Sequence, residues 1–410
     1  MRVLLAPHGT RGDVQPMLAL AAGLRARGHD VSFVAPANSV PWIKSFGFQC
    51  FSDGIDVEQM MQGVGTRLQS LRWQMKYLAD VLIPKLFETV PAAAEAATPS
   101  IIVGSGVQMA ASSVAELRGI PSASVMFAPC AVPSSDSPPP VVRSQNLPRW
   151  LNRALWKWGE PFADRALASP INAARARLGL PPHPKPSRLL GCKRTIVAAD
   201  RELGPFPADA PTTVVSTDAW ILNDAASAID SRLDDFLRCG PPPIYVGLGS
   251  MVAKPGLSVA AHVARAARAV GCRLVVAGGW ARIDRGMEVS DSVMIVREAP
   301  HPAIFPRMKA AIHHGGAGTT TAAARAGVPQ LILPHILDQY YWAHRVQLLG
   351  IGPRALPIET TTTERLTSRC RELIESTDYP ENARKLAARM GTRDGVADAA
   401  SILEQLIREC

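Results

Sequence analysis

Short apolar runs, each ending in a turn and followed by a helical stretch, recur along this chain, and the rhythm stops once and starts again. Val3–Ala6 is the first run. Behind it Met17, Leu20, Ala21 and Leu24 fall on one helical face, with Pro16 near the helix start and Gly28 past its end. Asp30–Ala35 is the next run, so the segment reads as strand, helix, strand. Two strands joined by a crossover helix lie parallel, which makes this an α/β chain. Ile101–Gly104, Ser122–Met126, Thr195–Ala199 and Thr213–Val215 extend the strand series, and Gln108–Arg118 reads as a helix within it.

The break falls in a polar, alanine-rich stretch between Asn223-Asp224 and Pro241-Pro242-Pro243. Ile244–Leu248 then restarts the pattern, followed by a helix at Leu257–Val270 and strands at Arg273–Ala277, Val293–Val296, Ala310–His313 and Gln330–Leu333. A chain of 410 residues exceeds one ordinary core. We expect two facing open sheets with a cleft between them, since such sheets bind ligands beyond the carboxyl ends of their strands. The expected divisions are an acceptor-side domain over 1–218, a linker over 219–240, a second domain over 241–385 and a C-terminal helix within 386–410. That helix carries Val396, Ala399, Leu403 and Ile407 on one face and needs a partner surface. Asp53–Val90 lacks clean strand signals, and Pro129–Pro148, rich in Pro and Ser, must be loop. Both read as walls of an acceptor pocket, or the proline stretch as a surface insertion.

Composition narrows the function classes. The net charge of +9 comes mostly from arginine, with no dense basic run and no basic–aromatic interleaving, so no nucleic-acid partner is expected. No apolar run reaches the roughly 18 residues of a membrane span, and MRVLLAPHGTRGD does not resemble a signal peptide. Cys50, Cys130, Cys192, Cys239, Cys272, Cys370 and Cys410 are scattered and lack CxxC spacing, which points to a reducing cytoplasm without disulfide or zinc frameworks. No metal cluster is expected, and neither is integral membrane contact.

The segment from Ile312 to Thr321, IHHGGAGTTT, carries the sharpest chemistry. It follows an apolar strand and opens an alanine-rich helix. Glycines let backbone approach a ligand, and a helix start offers unpaired N–H groups to an anion such as a diphosphate. His314 could donate to a phosphate oxygen, and Thr319 and Thr320 add hydroxyls. The plainer alternative is a tight strand–helix turn with capping threonines. Asp13, in the turn Gly9-Thr10-Arg11-Gly12-Asp13, reads from its spacing as an N-cap carboxylate, and only a family resemblance makes it a general base. His8 is a fallback base or a structural histidine. Asp338 and Gln339 gain a sugar-reading role only through the family resemblance, which their chemistry fits, because a carboxylate and an amide together accept from and donate to adjacent hydroxyls. Asp338 alone also reads as a helix N-cap.

IHHGGAGTT, followed by LPHILDQYYWAHRVQLLGIG, closely resembles the donor-site signature of family-one glycosyltransferases. The resemblance is nearest to the branch of sterol glucosyltransferases and glycopeptide-antibiotic (vancomycin-type) glycosyltransferases. PPIYVGLGSM, VVAGGWARI, EAPHPAIFPRM and the early GTRGDVQPMLALAAGLRARGHDV are similar to further blocks in the same order, and the likeness thins between about 50 and 190. It implies a GT-B fold of two Rossmann-like domains. It also implies an inverting, metal-independent transfer of a hexose, glucose by default, from a UDP- or TDP-sugar. The acceptor would be a hydroxyl of a small lipophilic molecule such as a natural-product aglycone or sterol.

By that resemblance His314 and Thr319 contact the diphosphate, helped by Gly316, Ala317, Gly318 and Ser250. Trp280 and the Glu298–His301 loop, with Ala299 and His301, lie near the nucleoside; Trp280 alone reads equally as partly buried core. Asp338 and Gln339 read the sugar. Asp13 is the base, with Thr10 and Arg11 beside the donor, although other branches place a histidine where Arg11 stands. The co-substrate is an NDP-sugar without further cofactor, and the protein is a monomer or weak dimer. Two alternatives stay open. One is a catalytically silent nucleotide-binding partner protein. The other is a dinucleotide oxidoreductase, which the first turn, lacking GxGxxG, disfavours.

Overall fold

The computed structural model describes all residues except 65–69, 191–193, 223–228, 250–258, 280–286, 288 and 410. Among the described residues two parallel sheets carry the architecture. The first contains β1 (Arg2–His8), β2 (Asp30–Ala35), β3 (Gln49–Ser52), β4 (Ile101–Gly106), β5 (Ser122–Met126), β6 (Arg194–Ala198) and β7 (Val214–Thr217), in the order β3-β2-β1-β4-β5-β6-β7. The second contains β8 (Ile244–Gly247), β9 (Leu274–Ala277), β10 (Val293–Val296), β11 (Ala310–His313) and β12 (Gln330–Ile332), in the order β10-β9-β8-β11-β12. Each ladder within these sheets is parallel, with Leu5 opposite both Phe33 and Val103 in the first.

The helices of the first half are α1 (Arg11–Ala26), α2 (Val40–Ser45), α3 (Val57–Val64), α4 (Leu71–Tyr77), α5 (Ile83–Ala97), α6 (Ala110–Arg118) and α7 (Arg149–Arg177). Those that follow are α8 (Ser231–Arg238), α9 (Val259–Ala269), α10 (His301–Ile304), α11 (Ala317–Arg325), α12 (Gln339–Leu348), α13 (Thr363–Glu375), α14 (Asp378–Ala387) and α15 (Gly395–Arg408).

Strand alternation sorts the core into two layers per sheet. In the first sheet Val3, Leu5, Phe33 and Val103 pack with Met17, Leu20 and Leu24 of α1, while Leu4, Ala6, Val34 and Ile102 pack with Leu86, Val90 and Val114 on the other face. The second sheet divides likewise. Val246 and Ile312 face Ala266 and Leu366, and Tyr245 and Val275 face Leu233, Phe236 and Phe305.

Several elements depart from the sequence reading. α1 begins at Arg11, so Pro16 lies inside it; the reason is a capping box in which Thr10 and Asp13 satisfy each other's backbone groups. Much of Asp53–Val90 is helical, because Leu82, Ile83, Leu86 and Phe87 form a stripe that only the sheet makes recognisable. Pro129–Pro148 is irregular as expected beyond a short turn at Pro129–Ala131, yet its first part is packed: Asn152 donates to Ser135 O at 3.0 Å and Trp156 Nε1 to Ser137 O at 3.0 Å. The stretch expected to link the halves contains α8, whose Leu233 and Leu237 are buried in the second core.

The two halves meet around Trp342, which is fully buried with Cys130, Leu203 and Ile351. Arg325 of α11 grips Asp200 after β6 through two bonds of 2.7 and 2.6 Å, and Arg345 Nε donates to Leu203 O at 2.8 Å. The chain then returns: α15 lies on α1 and β7, and Glu404 accepts from Arg27 at 3.0 and 2.8 Å and from His29 at 2.8 Å. Leu403, fully buried there, should cost about 2–5 kcal/mol when cut to Ala, read as a lower denaturant midpoint. A midpoint matching the parent would show that α15 is not docked on α1.

Candidate functional site

In each sheet the direction of winding reverses at one point, between β1 and β4 in the first and between β8 and β11 in the second. Loops leaving neighbouring strands part there, and their backbone amides line a crevice. Asp13 and His314 follow strands that meet at these two points, whereas Asp338 and Gln339 follow β12, on the far side of β11.

At the first, β1 runs into Gly9 and α1. Thr10 N donates to Asp13 Oδ2 at 2.8 Å, and Gly12 N donates to Thr10 Oγ1 at 3.3 Å. Asp13 is therefore a capping-box residue, so the plain reading of its position holds. Its surroundings add more. A Cβ on Gly9 would stand 2.1 Å from Asp13 Oδ2, and Gly9 has φ +148°, so glycine lets the carboxylate fold over the turn. Across from it Gly106, with φ +70°, would place a Cβ 2.1 Å from His8 O and 3.4 Å from Asp13 Oδ1. Burial pushes the Asp13 carboxyl up to about 6, against the Thr10 N–H and the charge of His8, which pull it down. His8 is buried, and its Nδ1 is 2.6 Å from Asp53 Oδ2, whose other oxygen accepts from Ile55 N at 2.9 Å.

At the second reversal point His314 leaves β11. Its ring lies between two glycines: a Cβ would stand 2.9 Å from it on Gly249 and 2.5 Å from it on Gly316. Nδ1 is buried without a hydrogen-bond partner among the described residues, and burial lowers the ring to about 4. Gly316 caps α11 with no side chain, which leaves the leading N–H groups around Ala317, Gly318 and Thr319 uncapped. Thr320 behaves differently from the sequence expectation. It is buried and its Oγ1 donates back to Gly316 O at 2.9 Å, so it braces the turn from inside. His313 is likewise internal: Gly315 N donates to its Nδ1 at 3.1 Å, so Nε2 carries the proton toward Gln330 Oε1 at 2.9 Å.

Asp338 stands at the N-cap of α12 but makes no capping bond; Oδ2 instead accepts from Trp342 Nε1 at 3.2 Å. Burial pushes its carboxyl up to about 6, and the charge of Asp13 adds to that. Gln339 Oε1 accepts from His335 N at 2.7 Å and Ile336 N at 3.2 Å, folding the loop before α12. Leu337 in that loop holds a left-handed φ of +52°.

Two observations bring the halves together here. Trp342, which holds Asp338, packs with Cys130 and Leu203 of the first half, and Arg11 forms an ion pair with Glu298. Arg11 also lies 4.8 Å over the Trp42 ring. The Arg11–Glu298 pair is exposed, so water screens it and it is worth about 0–1 kcal/mol. Beyond Glu298, Ala299 is half-buried, and His301 Nε2 is 2.9 Å from Tyr245 OH while its ring stacks on Phe305 at 4.5 Å. Ser250 and Trp280 lie outside the described residues. Asp53, the Glu298 carboxylate and Trp342 were not singled out from sequence; only the i, i+4 spacing of Asp338 and Trp342 hinted at a pair.

The glycosyltransferase family 28 N-terminal domain matches residues 3–132, and the erythromycin biosynthesis protein CIII-like C-terminal domain matches 265–406. Glycosyltransferase GtfC of Amycolatopsis orientalis is 36% identical over 408 residues, covering 98% of this chain and 97% of the relative. The vancomycin aglycone glucosyltransferase of the same organism is 36% identical over 358 residues, covering 86% and 85%. Among solved structures, glycosyltransferase VinC in complex with DTDP aligns over 100% of both chains with a TM-score of 0.72 and 23% identity. The glycotransferase of kitacinnamycin aligns over 98% of both with a TM-score of 0.73 and 20% identity. These two show the fold, GT-B, as two Rossmann-like lobes. The expected tie to sterol glucosyltransferases finds no support in these comparisons. The chain belongs to the family-one GT-B glycosyltransferases, as an NDP-sugar-dependent enzyme related to the glycopeptide-antibiotic (vancomycin-type) sugar transferases.

Proposed function

We propose that this enzyme transfers a hexose, glucose by default, from a UDP- or TDP-sugar to a hydroxyl of a small lipophilic natural-product acceptor, with inversion at the anomeric carbon. The acceptor would be held by the first lobe, within 1–218, and the donor by the second, within 241–385. The observation that carries this reading is that opposite lobes bring two half-buried carboxyls to their junction: Asp13 in the turn whose Arg11 pairs with Glu298 of the second lobe, and Asp338 on Trp342, which packs against Cys130 and Leu203 of the first. The relatives' names fit it, since one is a vancomycin aglycone glucosyltransferase and one a dTDP-epi-vancosaminyltransferase.

In this mechanism the acceptor oxygen attacks the anomeric carbon from the face opposite the diphosphate. The new C–O bond forms as the bond to the leaving diphosphate breaks, and the hydroxyl proton passes to Asp13. An ordinary aspartate is too acidic for that task, but one raised to about 6 is matched to neutral solution. The negative charge on the departing diphosphate falls to His314, the Thr319 hydroxyl and the open start of α11. Asp338 and Gln339 hold the sugar hydroxyls. His8, tied to Asp53, is the reserve base. We place the enzyme in the cytoplasm as a monomer or weak dimer; no helix among the described residues is long and apolar enough to cross a membrane.

A mass-spectrometric screen of several NDP-sugars against lipophilic alcohols tests the reaction, and release of NDP with no pair would favour the catalytically silent alternative. Asp13→Asn should keep NDP binding and lose about 100- to 10,000-fold in turnover; near-normal turnover would remove Asp13 from its role. Because the base must be ionised, kcat/KM should rise with pH through about 6 and then level off. An acid limb near 4 would contradict a buried base. His314→Ala should weaken bare NDP by roughly tenfold or more in calorimetry, the loss of one bond to a charged group.

A further inference from the structure

α7 carries a surface that neither its packing nor the transfer reaction uses. Its buried positions, among them Leu167, Ile171 and Ala174, belong to the core beside the first sheet. On the outer side two neighbouring rows run along the helix at intervals of four residues. One is Trp150, Ala154, Trp158 and Phe162; the other is Arg149, Arg153, Lys157, Pro161 and Arg165. Residues four apart lie on neighbouring sides, turned by about 40° per step, so Trp158, Phe162 and Arg165 share one outward side and Trp150 and Lys157 border it. Trp150, Trp158 and Phe162 are 69%, 68% and 65% exposed. Rings of this size rarely stand so far out of a fold without a partner. The interleaving is present in the sequence as Arg149-Trp150 and Trp156-Lys157-Trp158, contrary to the expectation that the chain has none; the helix shows that it faces outward.

The charge pattern says what covers this side. Arg149 and Arg153 are answered by Asp136 at 3.1 Å and Asp209 at 3.2 Å, near the helix start. Glu160 is spent on Lys185 and Arg188 at 3.5 and 2.7 Å. Lys157 and Arg165, which flank Trp158 and Phe162, have no ion-pair partner among the described residues. This side is therefore cationic where its aromatic rings are most crowded. Tryptophan and phenylalanine rings settle at the boundary between lipid headgroups and acyl chains, and lysine and arginine beside them meet anionic headgroups. A nucleic-acid strand would want a groove to follow, whereas these side chains stand on the convex outer side of one helix.

We infer that the outer face of α7 docks on an anionic lipid surface, with Trp150, Trp158 and Phe162 entering the interface and Lys157 and Arg165 pairing with lipid phosphates. The docking is peripheral, and it does not depend on the assignment of donor or acceptor.

Vesicle co-sedimentation of the full chain tests it, comparing phosphatidylcholine alone with phosphatidylcholine mixed with phosphatidylglycerol. The parent protein should partition onto the mixed vesicles, hold less well to the neutral ones, and come off as salt rises. Trp158→Ala with Phe162→Ala should lower partitioning at least tenfold. So should Lys157→Glu with Arg165→Glu, which leaves the rings in place and guards against a packing artefact. Thermal melts matching the parent show that both variants fold. Equal binding to both vesicle types, or variants that bind like the parent, would overturn the inference. So would a parent dimer in ultracentrifugation that both variants abolish without vesicle binding by the parent, since the face would then join two copies of the chain.

Discussion

Trp342 is the constraint on which the arrangement depends. It lies in α12 of the second lobe, fully buried, and its six-membered ring abuts the backbone of Gly204 in the first. A Cβ on Gly204 would come within 3.0 Å of that ring and 3.2 Å of Pro129, so the lobes approach as closely as glycine allows. The same indole donates its N–H to Asp338. One side chain thus seats the second lobe on the first and orients a carboxyl that meets the field of Asp13. Asp200 and Arg325 reinforce the junction with a bidentate pair, while the exposed Arg11–Glu298 pair at the other side holds weakly. A firm base and a loose rim suit a cleft that must admit two substrates.

The site costs stability. Between about pH 4 and 6 the folded chain keeps the Asp13 proton that the unfolded chain has released, so its contribution to stability falls as pH rises across that window. Asp338 follows the same sign. Three histidines of the second lobe are held neutral by burial: His301 and His313 at about 3, and His314 at about 4. None supplies a resting positive charge at neutral pH. In the proposed complex the anion is then met by helix-terminal N–H groups and by a neutral His314 ring, which can still donate one N–H. Two glycines hold its ring ready, and its orphaned Nδ1 is the kind of buried polar atom that persists where a ligand completes it.

Much of this was legible in the chain, for reasons that differ by element. The central strands of both sheets stand out because burial on both faces leaves unbroken apolar runs, as in Val3–Ala6 and Leu274–Ala277. The glycine turn at His314 stands out because close backbone approach admits few residues. The helices between 57 and 97 were obscured by prolines and by apolar stripes that only a sheet partner explains. α8 was read as linker because a polar, Asp-rich surface outweighed its three buried residues. Asp53 was invisible, since it acts through His8, 45 positions away; the Glu298–His301 loop was singled out through the family resemblance, but the pairing of Glu298 with Arg11, 287 positions away, was not. Thr320 misled because a hydroxyl beside a ligand and one that back-bonds its own helix look alike in sequence.

The most direct measurement is a crystal structure of the enzyme with a nucleoside diphosphate and a lipophilic alcohol acceptor. The account predicts the diphosphate on the N–H groups at the start of α11, beside His314, with the acceptor hydroxyl in hydrogen-bond reach of Asp13. A diphosphate bound elsewhere, or an acceptor oxygen turned away from Asp13, would contradict it.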